Sequence, residues 1–359
     1  MRDVQRVTRD RLRTQEFGKE NRRMRQQLVT TSCLAVAVLA GGLLSSTPAA
    51  GQTSDGNWTL PRTPDGHPDL QGVWANNNAT PLERPEVWSD KATLSEEELA
   101  ALQVAAQTAV GDGDALFGDQ LVLAAIEGIE ATSYDPTTGN YNQFWIAERD
   151  FTNQTSLVVD PPDGRIPDVT PEARERRREA AAYRRDHPAD TYTDRPLPER
   201  CVSYGVPRLG AGYNSYYQMF QSANHVVFMN EMIHDARVIP LTGQSHAPDA
   251  VRQLHGDSRG RWEGDTLVVE TTNYSSDATF RGSSDGLHMV ERFTLAGPRT
   301  LNYEVTLTDP TVWTRPWTVL IPLMRSDEPM FEYACHEGNI GMDGILAGHR
   351  AEEREAASK

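Results

Sequence analysis

Apolar and polar residues alternate over several short stretches in the second half of the chain, beyond Cys201. A period of two places successive side chains on opposite faces of an extended strand, so each stretch predicts a β-strand bounded by turn residues. Short strands that follow one another in a single block are typical of an antiparallel β-barrel or β-sandwich, and we expect a mainly β fold. The predicted strands are Tyr216–Gln221, His225–Met232, Arg237–Leu241, Thr266–Thr272, Leu287–Leu295, Thr300–Thr308, Trp317–Leu323 and Met330–His336.

The preceding stretch, residues 51–200, has helical patterns. Thr93, Ser95 and the acids that follow them predict the capped start of a helix. A later helix, which begins at Pro171, has so few apolar residues that we expect it on the surface. The predicted elements are helices over Thr93–Ala109, Asp119–Ala131 and Pro171–Arg185, and extended runs at Gln143–Ala147 and Ser156–Val159.

These patterns divide the chain into four parts. Residues 1–50 form a signal-peptide region, and residues 51–200 form a helix-and-loop wrapping. Residues 201–345 form the antiparallel β domain, and residues 346–359 form a polar C-terminal tail. We expect the wrapping to brace the β domain, because its third helix has little apolar surface to bury.

The first part of the chain has the order of an export signal. Residues 1–28 carry nine Lys or Arg against four Asp or Glu, residues 29–50 carry no charge, and Leu34–Leu44 reads LAVAVLAGGLL. This order, with small residues at Ala49–Gly51, predicts a cleaved signal peptide, and Met24 would start one of ordinary length. The alternative is an anchor helix that stays uncleaved, although the apolar run is short for a membrane span. Cleavage would place the protein in the periplasm or outside the cell, without a stable membrane anchor.

Composition and charge exclude several classes of function. The formal charge of the chain is −16, and subtracting the +5 of residues 1–28 leaves −21 for the remainder. Such acidity repels phosphate backbones, so nucleic acid is not expected as a partner. The chain contains no P-loop, GxGxxG or CxxCH motif. Their absence disfavours nucleotide, dinucleotide and c-type haem chemistry, and we expect no cofactor.

Removal of the signal would leave two cysteines, Cys201 and Cys335. An even number of cysteines in an oxidising compartment favours a disulfide between them. Two alternatives stay open: a pair of buried free thiols, or a nucleophilic or metal-binding Cys335 beside His336 and Glu337.

Seven of the nine histidines lie between His225 and His349, a concentration that would suit a metal site. The chain nevertheless has no His-x-His, no HExxH and no His-x-x-x-His, the spacings that place two ligands on one element. The sequence therefore predicts no metal, although ligands from different strands would escape this test.

A carboxylate interrupts the apolar face of one predicted strand. Glu291 falls on the same face as the apolar residues of Leu287–Leu295, and Glu231 shares the apolar face of another predicted strand. An acid inside a barrel needs an Arg or His partner, or a raised pKa, because burial removes its hydration. Glu291, Glu231 and the neighbouring His288 are therefore candidate catalytic proton carriers. The alternative is that these acids point to water or form purely structural ion pairs.

Basic and aromatic residues predict how a ligand would be held. The period of two places Trp313, Arg315 and Trp317 on one face of a strand, with an indole on each side of the guanidinium. These side chains would either stack on a ring of the ligand or brace the core. The stretch Gly256–Asp265 predicts a structured loop that lines the mouth of the site. The predicted ligand-binding residues, which include arginines able to hold an anionic or carbonyl group, are Arg237, Arg315, Trp313, Trp317, Asp257 and Arg259.

Two long strings carry a resemblance: GDSRGRWEGDTLVVETTN, which starts at Gly256, and YACHEGN, which starts at Tyr333. With them the chain resembles an uncharacterised family of exported bacterial proteins over nearly all of its length beyond the signal region. The resemblance implies membership of that family and supplies no reaction. Gly72-Val73-Trp74 and Gly260-Arg261-Trp262 also resemble the Gly-x-Trp that opens lipocalin-like barrels, where the Trp closes one end.

Together these features predict an exported protein whose β-barrel encloses a pocket for a small organic molecule. If the protein is an enzyme, its residues allow cofactor-free acid–base chemistry of a hydrolase, lyase or isomerase. Two alternatives stay open: a non-catalytic periplasmic binding or carrier protein, and a cell-envelope structural module. The sequence identifies neither the ligand nor the oligomeric state.

Overall fold

The computed structural model describes residues 58–110, 120–128, 148–277 and 280–359. The predicted signal region and the run Gln143–Ala147 lie outside these residues. The strands are β1 (Gly72–Ala75), β2 (Val158–Asp160), β3 (Tyr216–Gln221), β4 (His225–Asn230), β5 (Ala236–Pro240), β6 (Asp257–Glu263), β7 (Thr266–Thr272), β8 (His288–Leu295), β9 (Thr300–Thr308) and β10 (Trp317–Ser326). The α-helices are α1 (Glu96–Val110), α2 (Gln120–Glu127), α3 (Pro171–Asp186) and α4 (Ile340–Ala357).

The strands pair in one antiparallel sheet, in the order β5-β4-β3-β1-β10-β9-β8-β7-β6, and β2 pairs with the first residues of β10. The two edge strands, β5 and β6, approach each other, so the sheet is a nearly closed barrel and the mainly β prediction is confirmed. Gly260 of β6 makes this approach possible. A Cβ atom there would lie 2.5 Å from Cδ2 of Leu241 and 3.0 Å from Cγ2 of Ile239.

The strands bury alternate side chains inside the barrel, as a period of two requires. On β8 the buried residues are Met289, Glu291, Phe293 and Leu295, so the face predicted to point inward does so. Aromatic rings fill the middle of the interior, where Phe293 stacks on Tyr303 with ring centroids 4.7 Å apart. Full burial of a side chain of this size contributes about 1.5–3 kcal/mol to the free energy of unfolding.

One strand of the barrel, β1, comes from the wrapping and lies between β3 and β10. Its four residues are too few to show alternation, which explains why the sequence pattern does not reveal it. Trp74 is fully buried, donates its Nε1–H to the Leu70 carbonyl at 2.9 Å and lies 5.6 Å from the Arg325 guanidinium. The sheet therefore takes strands from both sides of the boundary between residues 200 and 201.

The helices of the wrapping match their predictions. α1 follows a capping box, in which Ser95 Oγ accepts from the Glu98 amide and the Glu98 carboxylate accepts from the Ser95 amide. It packs with α2 on an apolar cluster separate from the barrel core. α3 buries only Ala173 and lies on the surface, as its composition predicts. Residues 346–359, predicted as a polar tail, are largely part of α4, which buries no side chain.

Two predicted elements are wrong. Met330–His336 is not a strand, because its alternation has no buried face and Phe331 is 71% exposed. Gly256–Asp265 is not a loop, since Asp257–Glu263 forms β6 and pairs with β7 across a turn at Gly264. The pattern of apolar residues did not predict this strand, because the outward face of β6 carries charged side chains.

Cys201 and Cys335 form a disulfide, with Sγ atoms 1.99 Å apart and Cα atoms 5.6 Å apart. The predicted pairing is confirmed, and the readings of free thiols and of a catalytic or metal-binding Cys335 do not apply to this structure. The bond ties the segment after β10 to the segment before β3. Asn339 adds a second tie, because its Nδ2–H donates to the Glu199 carbonyl at 2.9 Å.

Candidate functional site

Buried polar side chains collect at one end of the barrel, which we call the polar end. It is the end where β1 and β4 finish and where β3 and β5 begin. Polar groups buried there need hydrogen-bond partners, because they have lost their contact with water. The polar side chains buried at this end include Asn76, Arg208, Ser215, Asn230, Glu231 and Arg237.

Glu291 lies inside the barrel near the polar end and is paired with Arg237. Arg237 donates from Nη1 to Oε2 and from Nη2 to Oε1, both at 2.7 Å, and the Tyr303 hydroxyl donates to Oε1 at 2.6 Å. The side chains of the ion pair are 4% and 0% exposed. The guanidinium also lies 5.5 Å from the centre of the Phe228 ring. Arg237 is therefore the partner that an inward acid was expected to need.

The Arg237 guanidinium is held in its charged form. Burial acts to lower the pKa of Arg237, but the charge and the hydrogen bonds of Glu291 raise it above its ordinary value. Burial and the charge of Glu291 raise the pKa of Tyr303, so its hydroxyl keeps its proton and remains a donor. The carboxylate of Glu291 already accepts three hydrogen bonds, which occupy most of its acceptor sites. Glu291 is thus suited to holding Arg237 in position. Of the Arg237 nitrogens, Nε alone has no partner among the described residues.

His288 does not join Glu291. The two residues lie on opposite faces of β8, and His288 is partly exposed on the outside, with Nε2 2.7 Å from Oε1 of Glu270. This hydrogen bond is the main cause that lowers the pKa of Glu270. The two candidate proton carriers His288 and Glu291 therefore do not lie in one site, because the strand separates them.

Glu231 lies at the polar end, one residue beyond β4, and not on a strand face as predicted. The strand stops before it because the chain turns, and Ile233 in that turn has a positive φ of 56°. Burial raises the pKa of Glu231, while hydrogen bonds from Asn214 and the Tyr216 amide and the charge of Arg208 act to lower it. Glu231 is thus a buried acid that forms no salt bridge with a described residue.

Arg208 is a buried cation that sequence reasoning missed. Its Nη2–H donates to the Tyr213 carbonyl at 2.7 Å and to Ser215 Oγ at 3.2 Å, and its guanidinium lies 4.6 Å from the centre of the Tyr204 ring. Its Nε and Nη1 have no acceptor among the described residues. Arg208 lies in a loop without periodicity, and the available signal was an arginine among Gly, Pro and Tyr just before the first long barrel strand.

Two asparagines extend this set of unpaired polar atoms. Asn76 donates from Nδ2 to the Gly210 carbonyl at 2.9 Å, but its Oδ1 has no donor among the residues described. Asn230, at the end of β4, is buried, and its Oδ1 also has no donor among the described residues. The polar end therefore offers the donors of Arg208 and two amide oxygens, a set that fits a small polar ligand group.

Asp257 and Arg259, predicted to line the mouth of the site, bind other protein groups. Asp257 accepts from His246 Nδ1 at 3.0 Å, from the Ala247 amide at 2.9 Å and from Arg259 Nη1 at 2.6 Å. Burial acts to raise the pKa of Asp257, but these three hydrogen bonds lower it. The two charges fasten the segment around His246 to β6, and the structure gives them no separate role in holding a ligand.

Trp313, Arg315 and Trp317 do not form the predicted stack. The two indoles are buried and contact each other edge to face, with centroids 5.5 Å apart. Arg315 is half-exposed and donates to Asp160 at 3.0 Å. Only the two rings brace the core, because Arg315 lies in a turn and not on a strand.

Ser203, His255 and Asp235 meet near the polar end, but their arrangement is not that of a serine nucleophile. Ser203 Oγ donates to Asp235 Oδ2 at 3.0 Å and lies 2.9 Å from His255 Nε2. The same Nε2 lies 3.2 Å from Asp235 Oδ1. In a catalytic triad the acid and the serine use different ring nitrogens, so that the imidazole can relay a proton between them. This cluster fixes the Ser203 loop instead, and the Tyr204 amide adds a further hydrogen bond to Asp235.

Comparisons of the chain with family models, with curated proteins and with solved structures found no match. The class that the geometry defines is a mainly β protein with a nearly closed antiparallel barrel, and the family resemblance of the GDSRGRWEGDTLVVETTN string stays a prediction. Among the described residues, no helix is both long enough and apolar enough to span a membrane.

Proposed function

We propose that the protein is exported and binds a small organic molecule at the polar end of the barrel, where Arg208 holds an anionic or carbonyl group of that molecule. The observation that carries this proposal is the environment of Arg208. The side chain is buried, forms no salt bridge with a described residue and has two nitrogens without an acceptor there. A buried guanidinium with two nitrogens that lack acceptors is costly, and an anionic ligand would compensate it through two charge-assisted hydrogen bonds.

The surroundings of Arg208 support a ligand with an apolar or aromatic part. Tyr204, which stacks on the guanidinium, is 49% exposed, so one end of this pair is open to solvent. The amide oxygens of Asn76 and Asn230 would accept from hydroxyl or amide groups of the ligand. Below them the Arg237–Glu291–Tyr303 cluster keeps the floor of the site rigid, because each of its charged groups is held in place.

If the protein is an enzyme, Glu231 is the residue best placed to carry a proton. Its carboxyl group is buried, its pKa is raised by that burial, and it lies in the electrostatic field of Arg208. A positioned carboxyl group can act as general acid or base, and it does so better as its pKa rises toward the working pH. Such a reaction needs no cofactor. The same contacts would serve a carrier protein without turnover, and a cell-envelope structural module would need no ligand.

Binding is tested with protein purified from the periplasm without denaturation and then extracted for mass spectrometry. We expect the extract to contain a small organic acid or carbonyl compound. Arg208→Gln should reduce its occupancy about 10–100-fold, the effect of losing a charge-assisted hydrogen bond. Arg315→Gln is the matched control, since Arg315 is also an arginine but is half-exposed and paired with Asp160. A wild-type extract without such a compound, and no thermal stabilisation by a panel of carboxylates, would remove the binding proposal and leave the structural module.

Turnover is tested on the compound identified in this way. Glu231→Gln keeps the shape of the side chain but removes its charge and its exchangeable proton. We expect the variant to bind the compound and to have lost conversion of it. If the wild-type protein leaves the compound unchanged, the carrier alternative replaces the enzyme.

Export has its own test. Expressed from Met24, the protein should appear in the periplasm cleaved near Ala49–Gly51, and Cys201 and Cys335 should resist alkylation until they are reduced. An intact N-terminus on membrane-retained protein would support the uncleaved anchor instead.

A further inference from the structure

A second group of chemically active side chains lies away from the polar end, where α4 passes the loop that follows α3. His349 and Glu353 are four residues apart on α4, so they lie on the same face of the helix. Asp190 reaches them from the loop. The three side chains each offer a donor atom for a metal ion, and these atoms all lie within 4.8 Å of one another.

Two of the three separations between these atoms are close to the edges of a metal coordination polyhedron. His349 Nε2 lies 3.2 Å from Asp190 Oδ1 and 3.6 Å from Glu353 Oε1. In a tetrahedral zinc site the Zn–N and Zn–O distances are about 2.0–2.2 Å, which places neighbouring donors roughly 3.3–3.5 Å apart. We propose that Asp190, His349 and Glu353 form a binding site for a divalent transition-metal ion of the zinc class.

The neighbouring side chains hold the three donors in suitable orientations. His187 Nδ1 lies 2.7 Å from the other oxygen of Asp190, which leaves Oδ1 for the ion. Arg350 pairs with Oε2 of Glu353 at 2.8 Å, which leaves Oε1 in the same way. On the far side of the imidazole, Nδ1 of His349 faces Oε2 of Glu352 at 3.8 Å. Carboxylates and histidines behind the direct ligands are the usual means by which proteins orient them.

The donor set selects the class of ion. An imidazole nitrogen with two carboxylate oxygens suits zinc and related ions, whereas magnesium and calcium prefer oxygen ligands alone. Three protein ligands leave one tetrahedral position for water.

The site would have a structural consequence for α4. This helix buries no side chain, and near His349 it is otherwise held by hydrogen bonds from Arg350 to the carbonyls of Ala189 and Asp190. An ion shared between α4 and the loop after α3 would strengthen this attachment of the C-terminal helix. This inference does not depend on the proposed ligand of the barrel.

The experiment is a calorimetric titration of zinc chloride into the full mature protein, after chelation and dialysis, followed by elemental analysis. We expect one zinc ion per chain in the wild-type protein and a rise in its melting temperature. His349→Gln and Asp190→Asn should each weaken binding more than tenfold, and His187→Gln should weaken it about 10–100-fold, as the loss of an orienting partner does. Magnesium chloride at the same concentration should produce neither heat nor stabilisation.

The matched control is His288→Gln, which removes a histidine that is paired with one carboxylate, Glu270, on the outside of the barrel. It should bind zinc as the wild-type protein does. All of the substituted side chains lie at or near the surface, and circular dichroism checks that each variant is folded. The proposal is overturned if the wild-type protein binds no zinc, or if His349→Gln and Asp190→Asn bind it as tightly as His288→Gln.

Discussion

The inner and outer faces of the barrel wall each carry a hydrogen-bonded pair of an acidic and a basic side chain at the same short distance. Inside, Glu291 on β8 binds Arg237 at 2.7 Å, with side chains 0% and 4% exposed. Outside, Glu270 on β7 lies 2.7 Å from His288 on β8, with side chains 39% and 37% exposed. The two pairs share a strand and a hydrogen-bond length, so what distinguishes them is their contact with water.

This difference determines what each pair contributes to the free energy of unfolding. A solvent-exposed pair gains about 0–1 kcal/mol, because water solvates the separated groups nearly as well. A buried pair stabilises the folded protein little more than two apolar side chains in its place would. Removal of one partner is costly, however, because the remaining charge is then buried without water or a counter-charge. The length of a hydrogen bond therefore says little about its contribution to the free energy of unfolding. Removal of each partner in turn tests this difference between the two pairs.

The largest effect is expected from Glu291→Leu. It leaves the Arg237 guanidinium buried without a counter-charge and should lower the free energy of unfolding by about 3–5 kcal/mol, measured by urea denaturation. Glu291→Gln should also destabilise the protein, since it keeps the shape but removes the charge. Glu270→Leu is the control on the outer face. If Glu291→Gln left stability intact and abolished ligand binding, Glu291 would belong to the ligand site and not to its support.

Removal of the whole inner cluster should undo most of this loss. The triple variant Arg237→Met, Glu291→Leu, Tyr303→Phe leaves neither charge of the pair behind. It also leaves no unpaired hydroxyl, because Tyr303 donates to Glu291 in the native protein. We expect its free energy of unfolding to lie within about 2 kcal/mol of the wild-type value, as apolar replacements of buried ion pairs are often neutral or stabilising. A triple variant as unstable as Glu291→Leu would show that the cost comes from packing and not from charge.

The sequence predicted the inner pair better than the polar end, for a physical reason. The period of two along β8 assigned Glu291 to the inward face, and electrostatics then required a partner such as Arg237. Arg208 lies in a loop, where no period assigns a side chain to a face, and its burial depends on contacts with distant segments such as Tyr217. Glu231 was assigned wrongly because the turn at Ile233 ends β4 early, which alternation cannot show.

Prediction of the fold was limited in the same way, because the sequence pattern reveals a strand only where alternation is clear. Long strands with a buried face, such as Thr266–Thr272 and Thr300–Thr308, were predicted with their observed boundaries. β1 and β6 were missed, the first because it is short and the second because its outward side chains are charged. Met330–His336 alternates without a neighbouring strand to pair with, and pairing is decided by tertiary structure.

An intermediate effect is expected from Glu231→Gln at the rim of the barrel. Burial raises the pKa of Glu231 in the folded protein above its unfolded value of about 4.3, so the folded state binds more protons between these two values. Stability should therefore fall as the pH rises through this range. The variant has no such proton, so it should be more stable than the wild-type protein at neutral pH, and the difference should vanish below about pH 4. Equal pH profiles of stability for both proteins would place Glu231 in contact with water.

The smallest effect is expected from the outer pair. His288 is the main cause that lowers the pKa of Glu270, so the pair stabilises the folded state above the unfolded pKa of Glu270 and loses this contribution as the pH falls through the folded value. Because both side chains are more than one-third exposed, His288→Gln should change the free energy of unfolding by no more than about 0.5 kcal/mol at pH 6. Addition of 1 M sodium chloride, where the screening length is about 3 Å, should remove even this difference, whereas the loss caused by Glu291→Leu should persist because salt does not reach the barrel interior. A His288→Gln loss as large as that of Glu291→Leu would contradict the comparison, since it would mean that contact with water does not separate the two faces.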